Sequence, residues 1–168
     1  MVIDRILRRA DDPIDNKGNR GRITRLVSQI LKSKGSEGVV TVQPSLTVAK
    51  AAEMLSQKKI GALVISEDGK TLAGIVSERD IVREIGRRGA DCLGESVRSI
   101  MTARVVTCTR SEPTDNVLQK MTDGRFRHMP VMEGDEMVGL ISIGDVVKAR
   151  LTELAAEKDA LEGMIKGF

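Results

Sequence analysis

The sequence repeats itself once, and this repeat constrains the fold more than any other feature of the chain. Val27–Leu31 returns 70 residues later as Val97–Met101, and Gly74–Val82 returns 65 residues later as Gly139–Val147. Between these two blocks lie two further matched blocks in the same order: residues 40–42 match 106–108, and residues 60–65 match 126–131. Four matched blocks in one order indicate two copies of one structural unit.

Each copy predicts the same element order, β-α-β-β-α. A short β-branched strand is predicted at Val39–Val42 and at Val105–Cys108, each followed by a helix with one apolar stripe. The stripes are Val48, Ala51, Ala52 and Leu55 in the first copy and Val117, Leu118 and Met121 in the second. Because a unit of roughly 60 residues is marginal alone, we expect an α+β fold in which the copies pack sheet to sheet around one shared core, with pseudo-two-fold symmetry.

The charge of the chain is unevenly distributed and suggests its boundaries. Residues 1–35 carry nine Lys and Arg against four Asp, whereas residues 36–168 carry 18 against 20 acidic residues. This asymmetry predicts a basic, partly disordered arm over 1–24. The matched blocks predict repeats over 25–89 and 90–150, with a C-terminal helix extension over 151–168. A nucleic-acid-binding domain usually carries its basic stripe on the fold itself, so a solvated arm is favoured over nucleic-acid contact through the arm.

Several function classes are excluded by what the chain lacks. It has no Trp, no Tyr, two Phe and one His, so it offers few rings for stacking bases and too few His for a zinc helix. Cys92 and Cys108 form no C-x-x-C pair, and no apolar run approaches the ~20 residues of a membrane span. The N-terminus has neither a signal-peptide nor a transit-peptide pattern. We expect a cytoplasmic protein that needs no metal and no membrane.

The two Ser-x-x-Asp turns are the most informative matched pair. Ser77 and Asp80 in the first copy, like Ser142 and Asp145 in the second, follow a Gly-containing strand and open a helix. A Ser N-cap with an acid three residues later is a helix-capping pattern. The same turn can serve a nucleotide, because a helix N-terminus favours an anionic oxygen and an Asp accepts hydrogen bonds from ribose hydroxyls. Both interpretations can hold together.

The doubled unit, the two turns and the Arg-His-Met-Pro-Val strand at 127–131 resemble tandem cystathionine-β-synthase (CBS) domains of the stand-alone CBS-pair type. The resemblance covers about residues 25–150. It implies a Bateman module, a pair of repeats with two clefts between them that bind adenosyl ligands. AMP is the first expectation for this chain, with ATP, ADP or NADH as alternatives.

The resemblance also implies a set of site residues. Asp80 and Asp145 match the positions that bind ribose hydroxyls in the two clefts, with Ser77 and Ser142 near phosphate or sugar. The other implied contacts are Gly61 and Ala62 in one repeat and Arg127 and His128 in the other on the phosphate side, Val40, Val106, Met101 and Pro130 around the adenine, and Arg79 beside Asp80. Since guanidinium suits phosphate and the matching strand of the first repeat has no cation, we expect the cleft with Arg127 to be the better anion site.

The last helix is predicted to run well past its counterpart in the first repeat, which stops at Gly86. Its apolar positions follow a 4-3-4-3-4 spacing interrupted by one Lys: Val147, Leu151, Leu154, Lys158, Leu161 and Ile165. Such a seam packs either on the core of its own chain or on another helix. The extension favours a homodimer through the terminal helices, as the resemblance also implies.

These features predict a regulatory, non-catalytic module that binds an adenine nucleotide and reports its level to a partner protein that the sequence does not identify. No nucleophile or oxyanion site accompanies Asp145 and His128, so catalysis is not expected. The alternative ligand is a nicotinamide adenine dinucleotide, sensed as redox state without turnover, because no G-x-G-x-x-G fingerprint is present.

Overall fold

The structure, a computed structural model, describes residues 24–35 and 38–167. The predicted arm over 1–24 lies outside these residues except for its last position, as does the proposed arm contact with nucleic acid. The described part contains α1 (Val27–Lys34), β1 (Thr41–Val42), α2 (Val48–Lys58), β2 (Ala62–Ile65), β3 (Gly74–Ser77), α3 (Glu78–Arg88), 3-10 turns at Ala90–Gly94 and Val97–Ser99, α4 (Thr114–Gly124), β4 (His128–Glu133), β5 (Glu136–Ser142) and α5 (Ile143–Lys166). The predicted α+β class is confirmed.

The first repeat forms a three-stranded sheet in the order β1-β2-β3. Strand β1 pairs parallel with β2, with Thr41 opposite Val64, and β2 pairs antiparallel with β3, with Ala62 opposite Ser77. Every residue of β2 is buried, as expected for a continuous apolar run in the centre of a sheet. The predicted stripe on α2 is confirmed, because Val48, Ala51 and Leu55 are buried.

The second repeat forms a two-stranded hairpin of β4 and β5 whose turn residues are Gly134 and Asp135. The predicted strand at Val105–Cys108 is wrong in extent: it is reduced to one parallel bridge, from Cys108 to Val131. Pro130 gives the physical reason. In the first repeat the N–H of Val64, at the matching position, donates to the carbonyl of Val40 at 3.3 Å. Because proline has no N–H, the same ladder cannot continue past Pro130.

The two repeats exchange their leading segments. The N–H of Val27 donates to the carbonyl of Glu112 at 3.0 Å, so α1, at the start of the first repeat, is tied to the second. The N–H of Val97 donates to the carbonyl of Leu46 at 2.7 Å, which ties the start of the second repeat to the first. The two bonds occupy matching positions in the repeats, as pseudo-two-fold symmetry requires.

The exchange divides the interior into two clusters and not the one shared core that the sequence predicts. Val27 and Ile30 of α1 pack with buried residues of the second repeat, among them Met129 and Ile141. Reciprocally, Val97 is buried with residues of α2, β2 and β3 in the first repeat. Each repeat therefore completes its core with a segment that precedes the other repeat in the chain.

Candidate functional site

Both Ser-x-x-Asp turns form complete capping boxes. At the start of α3 the N–H of Ser77 donates to Asp80 Oδ2 at 2.8 Å, and at the start of α5 the N–H of Ser142 donates to Asp145 Oδ2 at 2.9 Å. The reciprocal bonds from the Asp N–H groups to the Ser hydroxyls are 3.4 and 3.2 Å long. The capping interpretation is thus confirmed for both turns, and each cap stabilises its helix by about 1 kcal/mol.

A cavity of about 550 Å³ lies between the repeats, next to the second of these turns. Four parts of the chain line it: the end of α1 with the described residues that follow it, the residues from the end of α2 to the start of β2, Arg110, and the β4–β5 hairpin. Its lining residues are Leu31, Lys32, Lys34, Gly35, Gly38, Val39, Val40, Lys59, Ile60, Gly61, Ala62, Arg110, His128, Val138, Gly139, Leu140 and Ser142. Five predicted site residues thus meet in one cavity, namely Val40, Gly61, Ala62, His128 and Ser142.

The charge of this cavity is positive. The basic residues that line it are Lys32, Lys34, Lys59 and Arg110, and none of the described lining residues is acidic. Lys59, one of these residues, ends α2 in the left-handed conformation, with φ at 53°. The apolar part of the wall includes Leu31, Val40 and Leu140, on which an uncharged ring could pack beside the cations. Such a wall suits an anionic ligand with an apolar ring.

The carboxylate of Asp145 stands at the edge of the cavity and is held by Lys34. Lys34 Nζ lies 2.8 Å from Asp145 Oδ2 and donates a second hydrogen bond to the carbonyl of Leu140 at 3.1 Å. Burial opposes ionisation of Asp145, but the hydrogen bonds from Lys34 and from the Ser142 N–H outweigh it and hold the pKa below its ordinary value. Asp145 is therefore an ionised acceptor at neutral pH.

His128 crosses from the second repeat to the first. A methyl group placed on Gly61 would lie only 3.0 Å from its Cε1 and 3.2 Å from its Nε2, so the imidazole fits because Gly61 has no side chain. Burial, the largest influence, lowers the pKa of His128 from its ordinary value, and the charge of Glu78 opposes this shift. A neutral imidazole at the junction of the repeats can both donate and accept a hydrogen bond.

The remaining predicted site residues are not among those that line this cavity. Ser77 and Asp80 cap α3, and Met101 packs against Gly74, where a methyl group would come within 2.6 Å of its sulfur. Arg127 precedes β4, and its carbonyl accepts a hydrogen bond from the N–H of Ile143. The other three are Arg79, which is exposed, Val106, 39% exposed, and Pro130, which is buried in β4.

Sequence reasoning missed several residues of the cavity. Leu31 could have been found, because it matches Met101 in the repeat: Leu31 packs against Gly139 as Met101 packs against Gly74. Lys34, Lys59 and Arg110 do not match any predicted site residue in the repeat. They come from three separate segments, and only the fold brings them together.

Other features of the described residues bear on the class of protein. Cys92 and Cys108 are both free and buried, and burial raises the pKa of the Cys108 thiol to about 12. Among the helices that the structure describes, none has the length and apolar character that a bilayer-spanning segment requires. Over the same residues, no group of three or more His, Cys, Asp or Glu side chains is placed to hold a metal ion.

The fold and the cavity define a paired-repeat module that has a ligand-sized cleft between its two halves. The chain belongs to the CBS domain family, whose pattern matches residues 27–87 and again 97–152. The resemblance to tandem CBS domains is thereby confirmed.

Individual proteins of this family are similar over most of the chain. CBS domain-containing protein CBSX3, mitochondrial, of Arabidopsis thaliana is 36% identical over 148 residues, which cover 84% of this chain and 72% of that protein. The crystal structure of a CBS-domain containing protein from Agrobacterium tumefaciens is 45% identical, with a TM-score of 0.71 over 79% of this chain and 97% of that one. The structure of a CBS domain protein from Pyrobaculum aerophilum complexed with AMP is 27% identical, with a TM-score of 0.66 over 79% and 99% of the two chains.

Proposed function

We propose that this protein is a non-catalytic regulatory module that binds an adenine nucleotide of the AMP, ADP or ATP class in the cavity between its repeats. The observation that carries the proposal is the cavity itself, because it joins a positively charged wall to an apolar wall beside an ionised Asp on a helix N-terminus. These are the three parts that phosphate, adenine and ribose require. The similarity to a CBS protein complexed with AMP supports the same ligand class.

Each part of the nucleotide has a candidate partner. Asp145 would accept hydrogen bonds from the ribose diol, and Ser142 would lie near sugar or phosphate. The cations and His128 would receive the phosphate, while Val40 would pack on the adenine. In the second cleft, which the repeat relates to this one, Ser77, Asp80, Val106 and Met101 match Ser142, Asp145, Val40 and Leu31. The remaining predicted contacts are Arg79 beside Asp80, Arg127 beside His128, and Pro130.

The exchange of segments offers a way for binding to be reported. The ligand would touch both repeats and the described residues 35 and 38–40 between α1 and β1, since all of these line the cavity. A ligand that contacts both repeats favours one relative arrangement of them, and a partner protein can bind that arrangement selectively. Cytoplasmic location, consistent with the free cysteines, stays a prediction.

Replacing Asp145 with Asn tests the proposal, because Asn keeps a side-chain oxygen for the helix cap but loses the charge that favours ribose hydroxyls. We expect the affinity for AMP, measured by calorimetric titration, to fall by about tenfold or more. Asp80→Asn is the matched control, since it makes the same change in the equivalent turn of the other repeat. It should leave the binding step at the Asp145 cleft unchanged.

Titrations of ATP and NADH against the same proteins identify the ligand within the adenosyl class. Tighter binding of NADH than of AMP would indicate that the protein senses redox state and not the level of an adenine nucleotide. The proposed site is wrong if the wild-type protein binds none of these ligands. It is also wrong if Asp145→Asn and Asp80→Asn change the affinities of the two clefts in the same way.

We also propose that two copies of the chain associate through α5. The predicted seam faces outward, because Leu151 is 63% exposed, Leu161 61% and Ile165 75%, whereas the inward face of α5 carries Val146 and Ala149. Helix α3 of the first repeat adds exposed Val82. Apolar residues in a continuous exposed stripe are typical of an interface.

The dimer proposal predicts a large effect of one charge in the seam. Leu154→Glu places a carboxylate in the centre of the stripe and should weaken self-association by about a hundredfold. Ala156→Glu introduces the same side chain at an exposed position of α5 outside the stripe and should leave the dimer intact. Sedimentation velocity over a concentration series measures both. A wild-type protein that stays monomeric at high micromolar concentration would contradict the proposal.

A further inference from the structure

Lys34 makes one contact that the proposed function does not explain. It is the last residue of α1, and its side chain lines the cavity while its Nζ bonds Asp145 Oδ2 at 2.8 Å. The same oxygen accepts the N–H of Ser142. A ribose hydroxyl that takes this oxygen, Oδ2, would therefore compete with an ammonium group already in place.

The matching carboxylate in the first repeat is held differently. Asp80 Oδ1 pairs with Arg83 on its own helix at 3.3 Å, and the Arg83 side chain is 65% exposed. Asp145 pairs instead with a residue 111 positions earlier in the sequence, and the Lys34 side chain is 37% exposed. The two turns share one sequence pattern, but the second carries a tertiary contact that α1 supplies across the exchange of segments.

The position of Lys34 also lets it act on a second part of a ligand. The cavity that its side chain lines holds Lys32, Lys59 and Arg110 as well, so an anion bound there would lie among several cations. An ammonium on a flexible four-carbon stem can turn from a carboxylate to a phosphate within the same cavity. When a ligand has both a diol and a phosphate, Lys34 loses its bond to Asp145 but gains one to the phosphate. A ligand with a diol alone offers no such replacement.

We propose that Lys34 makes the cavity select phosphorylated adenosyl ligands over unphosphorylated ones, by exchanging Asp145 for the phosphate when the ribose binds. This inference rests on the proposed adenine-nucleotide function and adds a specificity-determining residue to it. The residue acts twice: it competes with a ribose hydroxyl for Asp145 Oδ2, and it contributes a charge-assisted hydrogen bond only to ligands that carry a phosphate.

Lys34→Met separates these two actions, because it keeps an unbranched side chain of similar length and removes the charge. We expect adenosine to bind about threefold tighter than to wild type, since the ammonium group no longer competes for Asp145 Oδ2. We expect AMP to bind about fivefold weaker, so the preference for AMP over adenosine should fall by roughly tenfold or more. Calorimetric titration of both ligands measures the two changes.

Lys32→Met is the matched control, because it removes a positive charge from the same cavity and the same helix without touching Asp145. Lys32→Met should lower the affinity for AMP slightly and leave the affinity for adenosine unchanged. Tighter adenosine binding is therefore expected only from the substitution of Lys34. Unchanged or weaker adenosine binding in Lys34→Met, or an equal loss for both ligands, would overturn the exchange while the proposed function stands. If wild type binds neither ligand, both proposals fail.

Discussion

Replacing Glu153 with Ala is expected to lower the free energy of unfolding by about 3 kcal/mol. Glu153 lies on α5 and is only 1% exposed, yet it carries a carboxylate. One oxygen accepts the N–H of Arg25 and, at 2.9 Å, the hydroxyl of buried Thr114; the other lies 2.7 Å from Arg150. The substitution removes the acceptor of the buried Thr114 hydroxyl and of the half-buried Arg25 N–H, and it leaves Arg150 without its closest partner. Both losses destabilise the fold.

Urea denaturation followed by circular dichroism measures the effect of Glu153→Ala. Glu162→Ala is the control, because Glu162 lies on the same helix with its side chain 49% exposed and a long ion pair to Lys158. It should change the free energy of unfolding by less than about 0.5 kcal/mol. Equal stability of the two variants would show that the buried carboxylate does not tie the start of α1 to α5.

The second large effect is expected from Ile30→Ala, which should cost about 3 kcal/mol. Ile30 is 4% exposed and packs among residues of the second repeat, although the sequence places it at the start of the first. The truncation therefore opens a hole in the second core, next to Met129 and Ile141. The strands of that core, β4 and β5, should lose their protection first.

Hydrogen exchange measured peptide by peptide distinguishes this outcome from a uniform loss. We expect faster exchange over β4 and β5 in Ile30→Ala, with β2 and β3 changed less. Leu26→Ala, one turn earlier and 36% exposed, should have a much smaller effect on the free energy of unfolding. If β2 and β3 lose protection before β4 and β5, the exchange of leading segments is wrong.

Local patterns in the sequence predicted the parts of the fold that short-range physics controls. A Ser N-cap and an Asp three residues later can satisfy each other only at a helix start, so both caps were predictable from four residues each. The apolar stripes on α2 and α4 follow from helical periodicity. The short extent of the strand that ends at Cys108 was also predictable, because Pro130 has no N–H with which to extend its pairing.

The candidate site was predictable only where the repeat or the family resemblance reached it. Val40, Gly61, Ala62, His128 and Ser142 were predicted and line one cavity. The cations at Lys34, Lys59 and Arg110 were not, because their proximity depends on how three distant segments pack and no local pattern encodes it. The position of Glu153 has the same origin, since the heptad seam of α5 faces outward and places this carboxylate on the inward face.

By itself, the sequence determined the doubled unit, the order of elements in each copy, the capped turns and the resemblance to CBS domains, because each depends on neighbours within a few residues or on similarity between copies. Only the tertiary structure decided which repeat each leading segment completes, and hence that α1 delivers Lys34 to Asp145. Apolar side chains such as Val27 and Val97 can be buried in either repeat as far as composition is concerned. The choice depends on which core has the complementary space and which backbone groups, at Glu112 and at Leu46, accept their N–H bonds.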